Sequence, residues 1–483
     1  MKEKIIELEE LSRKLEPARA GREALQQKAN MYSNHFIDKL PDEPAYTAYE
    51  KETVNRLLDD QITDEGADAD EVLSIFSEQV VPPGLNLSSG RHFGYIPGGG
   101  LTTSAVGDYL AAITNRYAGV YSSSPGAVAL ETRMINWLKN LFGYPESGGG
   151  YLSSGGSHAN LTAIVAARDS KKLKGADYSR AVVYITEQTH HCVDRALNIA
   201  GMSECVRRKI PMDHQFRMRT NLLDTAIEED KEKGLFPWLI VASAGSTDAG
   251  ALDPLDEIAP IARKHNLWFH VDAAYGGFFM LTQKGSNILT GISESDSLVV
   301  DPHKGMFLPY GIGALLVKGP NVLSWAHRFE ASYMNDTKVD SGIYSPAEIS
   351  PELSKHFRAV RMWLPLKLHG VAPFRAALEE KLLLAEMLWE KLSDTKQIVT
   401  GPKPQLSVVM FRWEPFGDDS ANDEVNKKLH KLFLEDGRVF LSVTTIDGRF
   451  YFRAAVLSAR THLADVDLLL KVLHEKMDSL REG

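Results

Sequence analysis

The chain has 483 residues, 54 Lys plus Arg against 64 Asp plus Glu, a formal charge of −10 and only two cysteines. That length passes the roughly 250–300 residues at which one core stops growing, so more than one domain is expected. The acid excess gives no general reason to hold nucleic acid or an anionic membrane, and Cys192 and Cys205 alone make neither a disulfide scaffold nor a zinc site, which fits a reducing, cytoplasmic setting.

At the N-terminus, Ile5, Ile6, Leu8, Leu11 and Leu15 recur at helical spacing, and a second helix is expected over 22–40. The start mixes charged and apolar residues and lacks the continuous apolar run of a signal peptide. No stretch reaches the ~18 consecutive apolar residues of a membrane span. Such an arm packs either on a partner chain or on its own body. Pro41, Pro44, Pro82 and Pro83 punctuate it, and an arm over 1–85 is expected.

From about residue 85 Gly and Ser cluster at 88–100, 122–126 and 148–157, and helices are expected over 128–142 and 159–174. Short β-branched runs at 182–185, 239–243, 267–271, 297–300 and 314–317 read as buried strands. Helical stretches at 193–199, 222–232 and 255–264 lie between several of them. This alternation predicts an α/β large domain, 86–370, with a mostly parallel sheet covered on both faces. Its ligand site would lie beyond the carboxyl ends of the strands. From 371 a long helix (374–392), strands at 407–413, 438–443 and 450–456, and helices at 423–435 and 465–481 predict a smaller α+β domain, 371–483.

Four segments at strand–helix junctions carry candidate chemistry. In LSSGGSHANLTAIVAAR (152–168) a Gly-Gly-Ser turn opens a helix, where free N–H groups and the helix dipole favour an anion. Many such turns simply cap helices through Ser. The segment fits neither dinucleotide nor nucleoside-triphosphate fingerprints. In ITEQTHHCVDRALNIAG (185–201) His190 and His191 sit in a loop, either as surface residues or as rings aimed at a flat ligand. In HVDAAYGG (270–277) Asp272 ends an apolar run, either to cap the next helix or to meet a cationic partner. In the third apolar context, SLVVDPHKGMF (297–307), Lys304 is either plain surface or an amine poised for a Schiff base. Together, a phosphate seat, an imidazole, a carboxylate and an amine are what pyridoxal 5'-phosphate requires.

On these residues the chain resembles the group II pyridoxal-phosphate-dependent amino acid decarboxylases, a family that includes aromatic L-amino acid, histidine, glutamate, cysteine sulfinate and 2,4-diaminobutyrate enzymes. HVDAAYGG and DPHKG are the most specific segments. HFGYIP (92–97), SSPGAVALETRMINWLKNLFGYP (123–145), HHCVDRA (190–196), HFRAVRMW (356–363) and FRAAVLSARTH (452–462) extend the likeness along nearly the whole chain.

The resemblance implies a pyridoxal-phosphate-dependent transferase fold of type I and a homodimer with the active site at its interface. It implies that Lys304 would hold the cofactor covalently, with Asp272 on the pyridine nitrogen and Ala274 under the ring opposite His190. Gly155, Gly156, Ser157 and His303 would surround the phosphate, with Thr247 near the ring. Phe93, Tyr95, Tyr117 and Tyr121 would either line the substrate side, Tyr117 and Tyr121 in the partner's pocket, or pack the dimer, and Arg358 would fix the substrate side or the mobile loop. Tyr344 is the candidate proton donor, and no metal is implied. Two departures stand out. Asp301 replaces the usual Asn before Pro-His-Lys, and should point away from the phosphate or pair. Gly98 replaces a hydroxyl residue. The implied reaction is decarboxylation of an L-amino acid, aromatic favoured, to an amine. The alternatives are an aldehyde synthase, another lyase or transaminase on the same fold, or a non-catalytic scaffold.

Overall fold

The computed structural model describes residues 1–327 and 343–482. Its centre is a seven-stranded sheet. The strands in chain order are Gly149–Ser153 (β1), Ala181–Ile185 (β2), Val206–Lys209 (β3), Phe236–Ser243 (β4), Trp268–Asp272 (β5), Ser297–Val300 (β6) and Gly313–Val317 (β7). Their spatial order is β1-β7-β6-β5-β4-β2-β3. The five strands from β6 to β3 run parallel, while β7 is antiparallel to both of its neighbours.

Side chains alternate across a strand, so each strand feeds two cores. Val182, Tyr184, Ile240, Ala242, Phe269 and Val271 pack toward the helix Pro125–Phe142 and its neighbours. Val183, Ile185, Leu239, Val241 and Trp268 face the helices Gly156–Ser170 and Cys192–Ile199. Burial on both faces explains why β2, β4, β5, β6 and β7 read as apolar runs. The edge strand β3, Val-Arg-Arg-Lys, is different. Arg208 pairs with the buried Asp230, and Arg207 Nε lies 3.2 Å from Asp194. Charged side chains on an edge discourage pairing with another sheet.

The C-terminal part carries a four-stranded antiparallel sheet: Ile398–Thr400 (β8), Val408–Trp413 (β9), Ser442–Ile446 (β10) and Arg449–Ala455 (β11), in the order β8-β9-β11-β10. Helices Ala372–Ser393, Asp419–Asp436 and Leu463–Glu482 cover it. Leu388, Leu392, Phe411, Phe433, Phe452 and Leu473 form its core. The N-terminal helices Lys2–Ser12 and Arg19–Lys39 bury none of their residues. Among the described residues no helix is long and apolar enough to cross a membrane.

One buried ion pair ties the large unit together. Glu131, on the helix Pro125–Phe142, accepts from the Leu152 N–H at 3.0 Å and from the Lys355 ammonium. Lys355 is fully enclosed, and burial pushes its amine below its ordinary range. Glu131→Gln should therefore destabilise the fold by about 3–5 kcal/mol, because it strands a buried charge. Chemical denaturation checks this, and a loss too small to resolve would contradict it.

Candidate active site

The carboxyl ends of the strands open onto one cavity of about 530 Å3, within the range of ligand sites. Strand β1 ends in the turn Ser154-Gly155, which starts the helix Gly156–Ser170. The Gly155 N–H donates to Ser153 Oγ at 3.3 Å, and the first N–H groups of a helix have no acceptor inside it, so Gly156 and Ser157 present donors and a positive dipole end to the cavity. A side chain would not fit at Gly156. Its Cβ would stand 2.8 Å from Asp301 Oδ2 and 3.3 Å from the Ala274 Cβ.

Asp272 is the last residue of β5 and is buried. Its Oδ1 accepts from the Ala274 N–H at 3.1 Å and its Oδ2 from Asn160 Nδ2 at 3.0 Å. Cys192 Sγ lies 3.9 Å from the same Oδ2, so a cysteine without an expected role touches the carboxylate. His190 lines the cavity, while His191 beside it is exposed. The His190 Nδ1 accepts from the Cys192 N–H at 3.2 Å, which leaves Nε2 to carry the ring's hydrogen. Burial lowers the His190 pKa, which favours that neutral ring.

Lys304 lies in a single helical turn, Pro302–Gly305, after β6. Its Nζ is 3.3 Å from Asp301 Oδ2. His303 donates through Nδ1 to the Ile312 carbonyl at 2.5 Å, and its Nε2 is 3.5 Å from Asp301 Oδ2. The Asp301 carboxylate thus pairs with Lys304, as the departure from Asn required. Gly98 is explained by the same turn: a Cβ there would stand 2.4 Å from the His303 carbonyl oxygen. Thr247 and Ala274 also line the cavity.

The structure places the other expected residues away from this cavity, Tyr95 excepted. Phe93 is no pocket residue. Its N–H donates to the Phe440 carbonyl at 2.9 Å, its carbonyl accepts from Ala455 at 2.7 Å, and this clamp drives its ring into the C-terminal core. Arg358 is spent internally. It grips Glu352 with two bonds of 2.8 Å and donates to the Gly311 carbonyl at 3.2 Å. Tyr344 donates to Asn321 Oδ1 at 2.6 Å and lines a different cavity with Glu131 and Ile349. Residues 328–342 of the segment before it lie outside the described residues. Tyr117 and Tyr121 do not reach the cavity of their own chain, whereas Tyr95 does.

Among the cavity residues that escaped the sequence reading, two bring polar groups that bear on the chemistry. Asn160 is one. Arg453, on β11, is the other. Its Nη1 donates to the Tyr95 carbonyl and to Ser442 Oγ, both at 3.0 Å, and its Nε donates to the Asp248 carbonyl at 3.1 Å. Its Nη2 is buried without an acceptor among the described residues, and a buried donor left unpaired is costly. That N–H belongs to a residue lining the cavity and suits a ligand carboxylate.

The donor set fits pyridoxal phosphate: an amine for its aldehyde, a carboxylate for its ring nitrogen and a helix N-terminus for its phosphate. One feature opposes it. Asp301 Oδ1 is buried with no hydrogen-bond partner among the described residues, and its other oxygen faces the Gly156 turn. Once Lys304 is engaged, that negative charge faces the phosphate seat. Asp301→Asn should therefore tighten pyridoxal phosphate roughly fivefold, about 1 kcal/mol. Titration of cofactor-free protein measures this, and weaker binding would show that the Asp301 charge is needed.

Comparison with known proteins accords with this donor set. Residues 51–414 match the model of the pyridoxal-dependent decarboxylase conserved domain. An aromatic-L-amino-acid decarboxylase of Bacillus atrophaeus is 33% identical over 91% of this chain and 93% of its own. A phenylacetaldehyde synthase of Petunia hybrida is 28% identical over 91% and 90%. The fold is that of an Oryza sativa TDC crystallised with PLP and tryptamine, with a TM-score of 0.91 at 22% identity, covering 96% of this chain and 99% of that one. The chain belongs to the pyridoxal-dependent decarboxylase family and is a pyridoxal-phosphate-dependent carboxy-lyase.

Proposed function

We propose that the protein decarboxylates an aromatic L-amino acid to its amine, with pyridoxal phosphate held on Lys304. The observation that carries this reading is the convergence of the Lys304 amine, the Asp272 carboxylate and the Gly155–Ser157 turn on one cavity. Bound cofactor supplies an aldehyde that condenses with amines and a protonated ring that draws electrons from the substrate Cα. The protein's residues do the rest. Asp272 accepts the ring-nitrogen hydrogen. The helix N-terminus of Gly156–Ser170 anchors the phosphate, with His303 beside it. His190 and Ala274 hold the ring plane, and Thr247 borders it. Lys304 moves a proton at Nζ when it is displaced by substrate and when it returns. Arg453 Nη2 takes a substrate carboxylate oxygen.

Support for an aromatic substrate comes from Tyr95 and Tyr310 in the cavity wall and from the aromatic-L-amino-acid decarboxylase relative. The reading includes a homodimer with Tyr117 and Tyr121 near the partner's pocket. It is supported by exposed Val106, Tyr109, Leu110 and Ile113 on the helix Thr102–Thr114 and by exposed Ile5, Ile6, Leu8 and Leu11 on the arm. Apolar surface of that extent marks an interaction site. A cytoplasmic setting is supported by two buried, unpaired cysteines. The reading also keeps the division at 85 and 370, supported by a separate core for the C-terminal sheet, although Phe374 and Leu378 join the larger core.

A second outcome has a specific observation behind it. Tyr344 is bonded to Asn321, outside the Lys304 cavity, and a phenylacetaldehyde synthase is among the relatives. Without a delivered proton, dioxygen and water would give aldehyde, carbon dioxide, ammonia and hydrogen peroxide. The test is a panel of amino acids with carbon dioxide, amine, aldehyde and peroxide all measured. Amine from an aromatic substrate is expected. Aldehyde with equal peroxide establishes the second outcome, and carbon dioxide from none of the panel overturns both.

A further inference from the structure

Behind Asp272 runs a chain of buried hydrogen bonds that leads away from the cavity. Asn160 Nδ2 donates to Asp272 Oδ2 at 3.0 Å and lies 3.4 Å from Cys192 Sγ. The Asn160 Oδ1 is 2.7 Å from His270 Nε2. The other ring nitrogen, Nδ1, is 2.7 Å from Ser297 Oγ. Ser297 Oγ accepts from the Trp268 indole N–H at 2.8 Å. Asn160, His270, Ser297 and Trp268 are all buried. They come from a helix and two adjacent strands: Asn160 from Gly156–Ser170, Trp268 and His270 from β5, and Ser297 from β6.

The polarity of this chain follows from its two ends. An indole N–H only donates, and an ionised carboxylate only accepts. Asn160 must therefore turn its NH2 to Asp272 and its oxygen to His270. That oxygen accepts, so His270 carries its hydrogen on Nε2. Its Nδ1 then accepts from the Ser297 hydroxyl, whose oxygen in turn accepts from Trp268. Every donor points toward Asp272. Reversing the chain would place the Asn160 oxygen against the carboxylate and leave the Ser297 hydrogen without an acceptor among the bonds of the described residues. Burial holds His270 neutral by pushing its pKa down to about 4, so the ring keeps one donor and one acceptor through the neutral range.

We infer that Asn160 and His270 are positioning residues that hold the Asp272 carboxylate in one orientation, as a fixed acceptor for the hydrogen on the cofactor's ring nitrogen, so that this proton stays on the ring. The inference rests on the pyridoxal-phosphate reading of the cavity. A donor that stabilises the ionised carboxylate lowers its proton affinity. Without that donor the Asp272 carboxylate is free to turn from the ring nitrogen, the ring loses its fixed acceptor and holds its proton less well, and it withdraws electrons less well. His270 acts at one remove, by fixing which end of the Asn160 amide faces Asp272.

The test loads 15N-labelled pyridoxal phosphate into the unaltered protein and into Asn160→Leu, Ser297→Ala, His270→Phe and His270→Gln. The ring-nitrogen chemical shift, cofactor affinity, kcat and KM are then compared. Asn160→Leu should still take up cofactor on Lys304, yet its nitrogen shift should move toward the unprotonated form. Its kcat should fall about 10–100-fold, the scale seen when hydrogen-bonded partners of metal ligands are lost, with KM little changed. His270→Phe should move the shift in the same direction, and His270→Gln, which keeps a donor, should restore it. Ser297→Ala, a small change tolerated by the fold, should move it partway. Unaltered shifts in the folded variants would overturn the inference. Failure of the unaltered protein to take up cofactor at all would instead sink the reading on which it rests.

Discussion

Lys304→Ala should leave a protein that binds pyridoxal phosphate only reversibly and has lost turnover by at least about 10³-fold, the scale expected when a covalent partner is removed. The site supports a complete loss of role and not a substitution by a neighbour. Lys304 lies in a single turn after β6, and its nearest charged partner is Asp301, 3.3 Å away. Among the described residues lining the cavity, Lys304 is the only lysine. The other cation there, Arg453, is always protonated and cannot serve as an amine nucleophile. Truncation to alanine removes the amine without disturbing the Gly98 contact, because that glycine packs on the backbone carbonyls of His303 and Lys304. The protein should therefore fold normally, and gel filtration alongside the activity measurement checks that. Retained decarboxylation by folded Lys304→Ala would contradict the assignment.

Asp272→Asn should lower kcat about 10²–10³-fold, or roughly 2.7–4 kcal/mol, the scale of losing a preorganised electrostatic partner. The substitution keeps size and keeps an oxygen for the Ala274 N–H, which now donates to Oδ1 at 3.1 Å. It replaces the charged acceptor by an amide that donates toward the ring nitrogen. That nitrogen then has no reason to hold a proton. Cofactor affinity should fall as well, because an ion pair becomes a neutral hydrogen bond. Steady-state kinetics with saturating cofactor separates the two effects. An unchanged kcat under those conditions would place the electron demand elsewhere.

The parts of the molecule visible in the sequence are those where local chemistry and tertiary environment agree. Strands β2, β4, β5, β6 and β7 are buried on both faces, and their apolar runs announce it. Strand β1 hides behind Gly149 and Gly150, although Tyr151 and Leu152 are buried on its two faces, and β3 hides behind three consecutive basic residues, which an edge strand tolerates. The helix Thr102–Thr114 carries Gly107 in its middle, which weakens any propensity signal. Its reason is close packing: a Cβ at Gly107 would stand 2.9 Å from the Val360 carbonyl oxygen. The helix Ala359–His369 against it holds Pro365, which argues against a helix when read locally.

The candidate site divides in the same way. Gly155, Gly156, Asp272 and Lys304 interrupt otherwise regular segments, so each draws attention by itself. Asn160 and Arg453 sit inside a well-formed helix and strand, where a polar residue at a buried position looks like any other. Only the fold brings Asn160 to Asp272 and Arg453 to Tyr95. Phe93 misled for the opposite reason. An aromatic residue near Tyr95 suggests a pocket wall, but Tyr95 takes a left-handed backbone conformation (φ 53°) that breaks the two-residue alternation of an extended chain, so Phe93 enters the core while Tyr95 stays exposed.

The most direct test of the account is to load the protein with pyridoxal phosphate, reduce it with borohydride, digest it and locate the fixed cofactor by mass spectrometry. The expected result is one modified peptide, carrying the label on Lys304, and no label in Lys304→Ala. A label on another lysine, or none on a folded and fully loaded protein, would contradict the placement of the reaction in this cavity.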